Sequence, residues 1–183
     1  MRKLSIIVML WSMAIAMPVV RGIAETPKDV EEWFYKLSTN KVEQKVTKLP
    51  LYFQNVKGIT TAVVAQANST ATSDTSFGLT FLMDSPLTVG PSQSSKVIGR
   101  AQGRYGAAST EEVPEFIVMN LVFIDENYYN GSTLTVLGSN PSFHKKRELT
   151  VVGGTGVFRL ARGVALLNTY FFNAALGNAT VEF

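Results

Sequence analysis

The sequence predicts an all-β chain whose antiparallel strands follow one another as a meander and curl into a closed barrel. Three observations carry this. From Leu49 onward apolar and polar residues alternate with a period of two; the alternating segments are rich in Val, Ile, Phe, Tyr and Thr; and the breaks between them collect Gly, Pro, Asn and Ser. No helical segment separates these strands and no repeat of fixed period is visible, so a sandwich or barrel is favoured over a propeller or solenoid. Glycines inside the longer segments tip the choice toward a barrel. Gly99, Gly103 and Gly106 punctuate one segment, and Gly153, Gly154 and Gly156 interrupt another. Such positions permit the bends and bulges by which a sheet closes on itself. A small barrel either fills its interior with side chains or encloses one small ligand.

Taken in order, the chain opens on Arg2 and Lys3, an apolar run from Leu4 to Met17, the breaker Pro18, and small residues at Gly22 and Ala24. Basic start, apolar middle and small-x-small end are the pattern of a secretory signal peptide over 1–24. The run is too short for a membrane anchor, which needs roughly 20 residues. Residues 25–48 form a charged arm. Within it Val30, Trp33, Phe34 and Leu37 fall on one helical face, with Asp29, Glu31, Glu32 and Lys36 around the rest. A short amphipathic helix and a flexible arm both fit, since so short a helix is marginal without a partner. The domain proper spans 49–183. Its expected strands are 49–56, 61–67, 76–83, 95–107, 115–124, 132–138, 147–152 and 163–172, with a stub at 179–183.

Composition removes several classes of function. With 183 residues and 46% hydrophobic content the chain suits one domain with a core, and it is too apolar to be disordered. The absence of Cys excludes disulfide scaffolds, zinc fingers, iron–sulfur clusters and thiol catalysis. A single His excludes the usual multi-histidine metal centres, so no metal site is expected. The formal charge of +3 misleads: cleavage after Ala24 removes Arg2, Lys3 and Arg21 from the 17 basic residues and leaves 14 against 14 acids. A neutral mature chain lacks the electrostatic basis for binding nucleic acid or an anionic membrane. Three sequons, at Asn68, Asn130 and Asn178, fit an exported glycoprotein. The first two lie in turn-like stretches and the third near a strand.

Several motifs invite chemistry and decline it. Gly153-Gly154-Thr155-Gly156 lacks the Gly-Lys-Ser/Thr ending of a phosphate loop and is followed by a strand rather than a helix, so it reads as a tight turn. His144 has no Gly-x-Ser-x-Gly elbow to serve and reads as a surface residue of a basic loop. The arginines are more informative. Arg100, Arg104, Arg147, Arg159 and Arg162 lie within or beside apolar strands, and an Arg that points inward must be paired or must meet a polar ligand. Alternation puts Arg100 and Arg104 on one face, and Arg147 on the face of Leu149. Their candidate structural partners are Asp84, Glu115 and Glu148.

The motifs Asp84-Ser85-Pro86-Leu87-Thr88, Gly99-Arg100-Ala101-Gln102-Gly103-Arg104-Tyr105, Val151-Val152-Gly153-Gly154-Thr155-Gly156-Val157-Phe158 and Ala161-Arg162-Gly163 occur in that order. Over the stretch from about Leu51 to the C-terminus the chain resembles plant dirigent proteins. The resemblance implies an eight-stranded antiparallel up-and-down barrel, assembled as a homo-oligomer (dimer or trimer) and exported to the plant cell wall, the apoplast. It implies a function in lignan and phenylpropanoid biosynthesis and plant defence. A separate laccase-type oxidase makes phenoxy radicals from a monolignol such as coniferyl alcohol, and the barrel steers their coupling toward one stereoisomer without an oxidative centre or cofactor of its own. Two alternatives accompany this. One is an isoflavanol dehydratase of the pterocarpan-synthase kind, working through a quinone methide. The other is a non-catalytic phenolic-binding defence protein. Gly103-Arg104-Tyr105-Gly106, Leu137-Gly138-Ser139-Asn140-Pro141 and the lack of Cys look more like the pterocarpan-synthase branch than the pinoresinol-forming one.

The resemblance implies that Tyr105 and Arg147 are pocket residues, Tyr105 as aromatic wall and Arg147 as polar anchor, and that Asn55 joins them. It also exposes departures. Asn55 and Asn140 stand where family carboxylates are expected, and Ala107 replaces a second pocket Tyr. An amide has no titratable proton near neutral pH, so these positions can hold a ligand but cannot run acid–base chemistry. Finally, the stub at 179–183 is shorter than the family's last strand, which implies a barrel with an incomplete strand and an unpaired edge.

Overall fold

The structure is a computed structural model and describes residues 27–39, 45–112 and 115–183. The expected signal peptide at 1–24 lies outside the described residues. Pro27–Thr39 of the arm is helical, and we call it α1; Lys36 and Glu32 pair one turn apart at 2.7 Å on its exposed surface.

Nine strands follow: β1 Tyr52–Asn55, β2 Thr61–Ala65, β3 Thr80–Thr88, β4 Val97–Ala107, β5 Glu115–Phe123, β6 Thr133–Asn140, β7 Lys146–Thr155, β8 Gly163–Asn173 and β9 Asn178–Glu182. Every expected strand is present. They join in the order β1-β9-β8-β7-β6-β5-β4-β3, all antiparallel, and β1 pairs back onto β3 through Tyr52↔Thr88 and Phe53↔Leu87. Eight strands thus close into a barrel, and β2 is the extra one. It runs along β3 beyond β1, from Thr61↔Met83 to Ala65↔Thr80, so β1 and β2 share one broken edge.

That break explains why β3 runs five residues past its expected end. Pro86 reads as a strand breaker because it has no N–H to give the ladder. Here the N–H of Asp84 reaches the Thr60 carbonyl at 2.9 Å, on the β1/β2 side. Residue 86, two further on, faces the same side, and it does so in the gap between β1 and β2 where no ladder partner waits.

The expected unpaired edge at the last strand is not found. β9 pairs with β8 on one side and, over Asn55↔Ala179 to Tyr52↔Glu182, with all of β1 on the other. Phe183 continues the contact, its N–H donating to the Leu51 carbonyl at 2.9 Å. Because β1 is itself only four residues long, a five-residue partner covers it.

Inward positions change character along the barrel. Toward one end Leu51, Leu87, Leu121, Phe123, Leu134 and Val136 pack into a solid core, with Phe158 against Phe123. Tight strand approach is secured by Gly103: a Cβ there would lie 2.1 Å from the Val118 carbonyl oxygen on β5. The triglycine motif is not the tight turn expected of it: Gly153, Gly154 and Thr155 extend β7 and pair with Thr135, Leu134 and Thr133 of β6, and the turn begins only at its last glycine. Gly156, at φ +61°, begins a 3-10 turn over Gly156–Phe158 packed against Ser132.

Candidate functional site

Toward the other end the barrel is hollow. A cavity of about 500 Å³ occupies it, a volume suited to a ligand of drug-like size. Its walls come from alternate residues of the closing strands: Phe53 and Asn55 of β1, Phe81 and Met83 of β3, Tyr105 of β4, Glu115, Ile117 and Met119 of β5, Asn140 of β6, Arg147 of β7, Leu167 and Thr169 of β8, and Ala179 and Val181 of β9. Exposed Phe143, His144 and Lys145 flank the mouth, together with Lys57. His144 is therefore a surface residue, and it lies at the entrance.

One wall is aromatic. Phe81 stacks on Tyr105 with ring centroids 4.9 Å apart and planes within 11° of parallel. Four steps around the ring in either direction separate β3 from β7 and β4 from β8, so Arg147 and Thr169 stand across the barrel from this stack. Arg147 is buried at 5% exposure, inward like Leu149 on the same strand. Its Nη1 donates to the Ser142 carbonyl and to Thr169 Oγ1, each at 2.7 Å, which ties the mouth segment to β8. Its Nε is buried with no partner. Asn55 is fixed by Thr60, whose hydroxyl donates to Oδ1 at 3.4 Å.

The polar cluster beside Arg147 was not legible as such in the sequence. Glu115 and Asn140 are direct partners across β5 and β6, and Asn140 Nδ2 donates to Glu115 Oε2 at 3.0 Å. Glu115 had appeared only as an ion-pair partner for an arginine. No ion pair at 4.0 Å or less joins it to Arg147, and both face the cavity. Burial pushes the Glu115 carboxyl above its ordinary range, against the opposing pull of the Asn140 amide and the Arg147 charge. Burial also raises the Tyr105 phenol, helped by the charge of Glu115. The Arg147 guanidinium is lowered by burial and held up by Glu115. Ion pairing does account for Arg100, whose Nε meets Asp84 Oδ1 at 2.5 Å on the outer wall. Arg104 is exposed on that wall. The signal for Glu115 was its phase: it alternates with Ile117 and Met119 on the inward face, where a charge is unexpected.

The remaining predicted positions lie elsewhere. Ala107 ends β4, paired with Glu115. Asn68 and Asn130 are exposed outside the strands, whereas Asn178 starts β9 and its Oδ1 accepts from the Lys57 N–H at 3.1 Å. Among the described residues no cluster of His, Cys, Asp and Glu could hold a metal ion, and no helix is long and apolar enough to cross a membrane.

Residues 46–183 match the family model described as Dirigent-like protein. Dirigent protein 23 of Arabidopsis thaliana is 39% identical over 151 residues, covering 79% of this chain and 80% of that one. Pterocarpan synthase 1 of Glycyrrhiza echinata is 41% identical over 145 residues, 77% of either chain. A solved pterocarpan synthase dirigent protein superposes with a TM-score of 0.68 at 40% identity, covering 78% of this chain and 94% of its own.

Proposed function

The chain belongs to the dirigent-like family, and from that premise we propose that its barrel receives phenylpropanoid phenols and imposes stereochemistry on their coupling. Phenoxy radicals of a monolignol such as coniferyl alcohol come from a separate laccase-type oxidase and meet in the cavity with one facing. The division of the cavity carries this reading: a flat Phe81–Tyr105 wall on one side, and the hydrogen-bonding Arg147 and Thr169 across from it. Aromatic rings confined between the flat wall and the polar side lose the freedom that makes coupling in solution random. The test is oxidation of coniferyl alcohol by a laccase with and without the protein, followed by chiral chromatography. An excess of one enantiomer is expected only with the protein, and a racemate in both arms overturns the reading.

A second reading has its own support. The chain is similar to pterocarpan synthases, and an ionisable carboxyl, Glu115, faces the cavity. On this reading the barrel removes water from an isoflavanol and closes a pterocarpan ring with no oxidant present. Incubation with the isoflavanol alone separates the two.

Either reading includes export to the cell wall and self-association. Leu82, Leu137 and Val164 fall in one register row of the outer wall and are 51%, 40% and 57% exposed, a surface that supports a homo-oligomer.

A further inference from the structure

We propose that Glu115 is the general acid of the cavity, and that the acid function expected at position 140 is carried here by the residue facing it across the β5–β6 pair. The proposal deepens the second reading above and rests on it.

The geometry leads there in three steps. First, Glu115 is the one carboxylic acid among the described residues that line the cavity. Second, position 140, where a carboxylate was expected, holds an amide that donates to Glu115 Oε2 and leaves Oε1 without a protein partner among the described residues. An Asp at 140 would instead set two carboxyls against each other. An amide donating to one oxygen leaves the other free to carry the proton. Third, two further polar atoms on residues lining the same cavity are buried and unpaired: Asn140 Oδ1, on a residue 7% exposed, and Arg147 Nε, on a residue 5% exposed. Buried donors and acceptors are nearly always satisfied, so an orphaned acceptor and donor beside a carboxyl point to a ligand that supplies their partners. The ligand class that fits is a benzylic alcohol conjugated to a phenol, with a second phenol within reach. The leaving hydroxyl takes a proton from Glu115 and donates to Asn140 Oδ1, and a phenolic oxygen accepts from Arg147 Nε.

The step balances within the substrate. Glu115 gives its proton to the benzylic hydroxyl as the carbon–oxygen bond breaks and water leaves. The conjugated phenol supplies the electron pair and releases its proton to solvent at the mouth, forming a quinone methide. The second phenol oxygen then bonds to the benzylic carbon and returns its proton to Glu115, while the quinone methide oxygen regains one from solvent. The sum is substrate to cyclic ether plus water, with no oxidant.

The experiment compares wild type, E115Q, E115D and E115Q/N140D on an isoflavanol without oxidant, measuring kcat, KM and the pH profile. Proton transfer of this kind contributes roughly 10²–10⁴-fold, so E115Q is expected to lower kcat by at least about 100-fold with little change in KM. Wild-type kcat should fall as alkali deprotonates Glu115. The groups facing that carboxyl are Tyr105 from β4, Asn140 from β6 and Arg147 from β7, with His144, Lys145 and Lys57 at the mouth. E115Q should lose the alkaline limb, E115D should keep part of the rate, and E115Q/N140D should recover at least about tenfold by returning a carboxyl across the strand pair. Product formed equally by wild type and E115Q overturns the role of Glu115 and leaves the dehydratase reading standing. No product from any variant, with bound isoflavanol detected by fluorescence quenching, overturns that reading and this role with it.

Discussion

Adding one methyl group at Gly103 should damage this barrel more than its size suggests. In Gly103→Ala the new Cβ would stand 2.1 Å from the Val118 carbonyl oxygen and 2.6 Å from Met119 Cα, where ordinary contact begins at 3.4 Å. Both atoms belong to the backbone of β5, so no rotamer change relieves the clash. The strands must part where Gly103 pairs with Met119, two residues from Tyr105 in the cavity wall. Overpacking typically costs about 1–3 kcal/mol, and a forced backbone shift belongs at or above the top of that range. At about 3 kcal/mol the melting temperature of a domain this size should fall by roughly 10 °C. Gly153→Ala is the matched control: nothing lies within 4 Å of its added Cβ, and its φ is outside the left-handed region. It should be neutral, or stabilising by up to about 1 kcal/mol through the unfolded chain. Thermal unfolding followed by circular dichroism measures both. Equal melting temperatures for the two variants would refute the claim that β4 and β5 approach too closely for any side chain at 103.

Glu115 should also mark the pH dependence of stability. Its carboxyl holds its proton more tightly folded than unfolded, so between the ordinary Glu value and its raised one the native state binds more protons and stability falls as pH rises. One proton bounds that slope at about 1.4 kcal/mol per pH unit. E115Q should remove it and melt higher than wild type at neutral pH; parallel melting curves from pH 4 to 8 would contradict this. Arg147→Lys replaces the rigid planar guanidinium, whose Nη1 reaches both Ser142 and Thr169, with a shorter side chain ending in an ammonium on a flexible stem. We expect a loss of about 1–2 kcal/mol and faster amide exchange over residues 142–145, and unchanged exchange there would count against the tie. In a glycosylating host, peptide mass spectrometry should find glycans at Asn68 and Asn130 but not at Asn178, whose side chain is committed to the Lys57 N–H within the sheet. An occupied Asn178 in folded protein would overturn that.

Much of the fold was legible because strand signals are local. Alternation put Arg100 with Arg104 and Arg147 with Leu149, as the structure has them. The end of β3 was misjudged because Pro86 is a breaker in every local sense. Only the gap between β1 and β2, formed by segments some thirty residues earlier, makes it tolerable. The last strand looked too short for the same kind of reason, since its sufficiency depends on the length of β1 at the other end of the domain. Tyr105, Arg147 and Asn55 do come together around one cavity. Glu115 went unrecognised because an isolated glutamate at a strand start resembles any solvated charge until its cross-strand neighbour is known.

By itself the amino-acid order determined that these segments are strands, which residues share a side of each strand, and where glycine lets the sheet bend. These properties arise within a few residues, from side-chain period and backbone sterics. Tertiary structure alone decided which side faces inward, where the interior is solid and where hollow, and that a carboxyl at 115 meets an amide at 140 and shares a cavity with a guanidinium at 147. Those meetings follow from register and closure, and a shift of one residue in any pairing would turn the same side chains out to water.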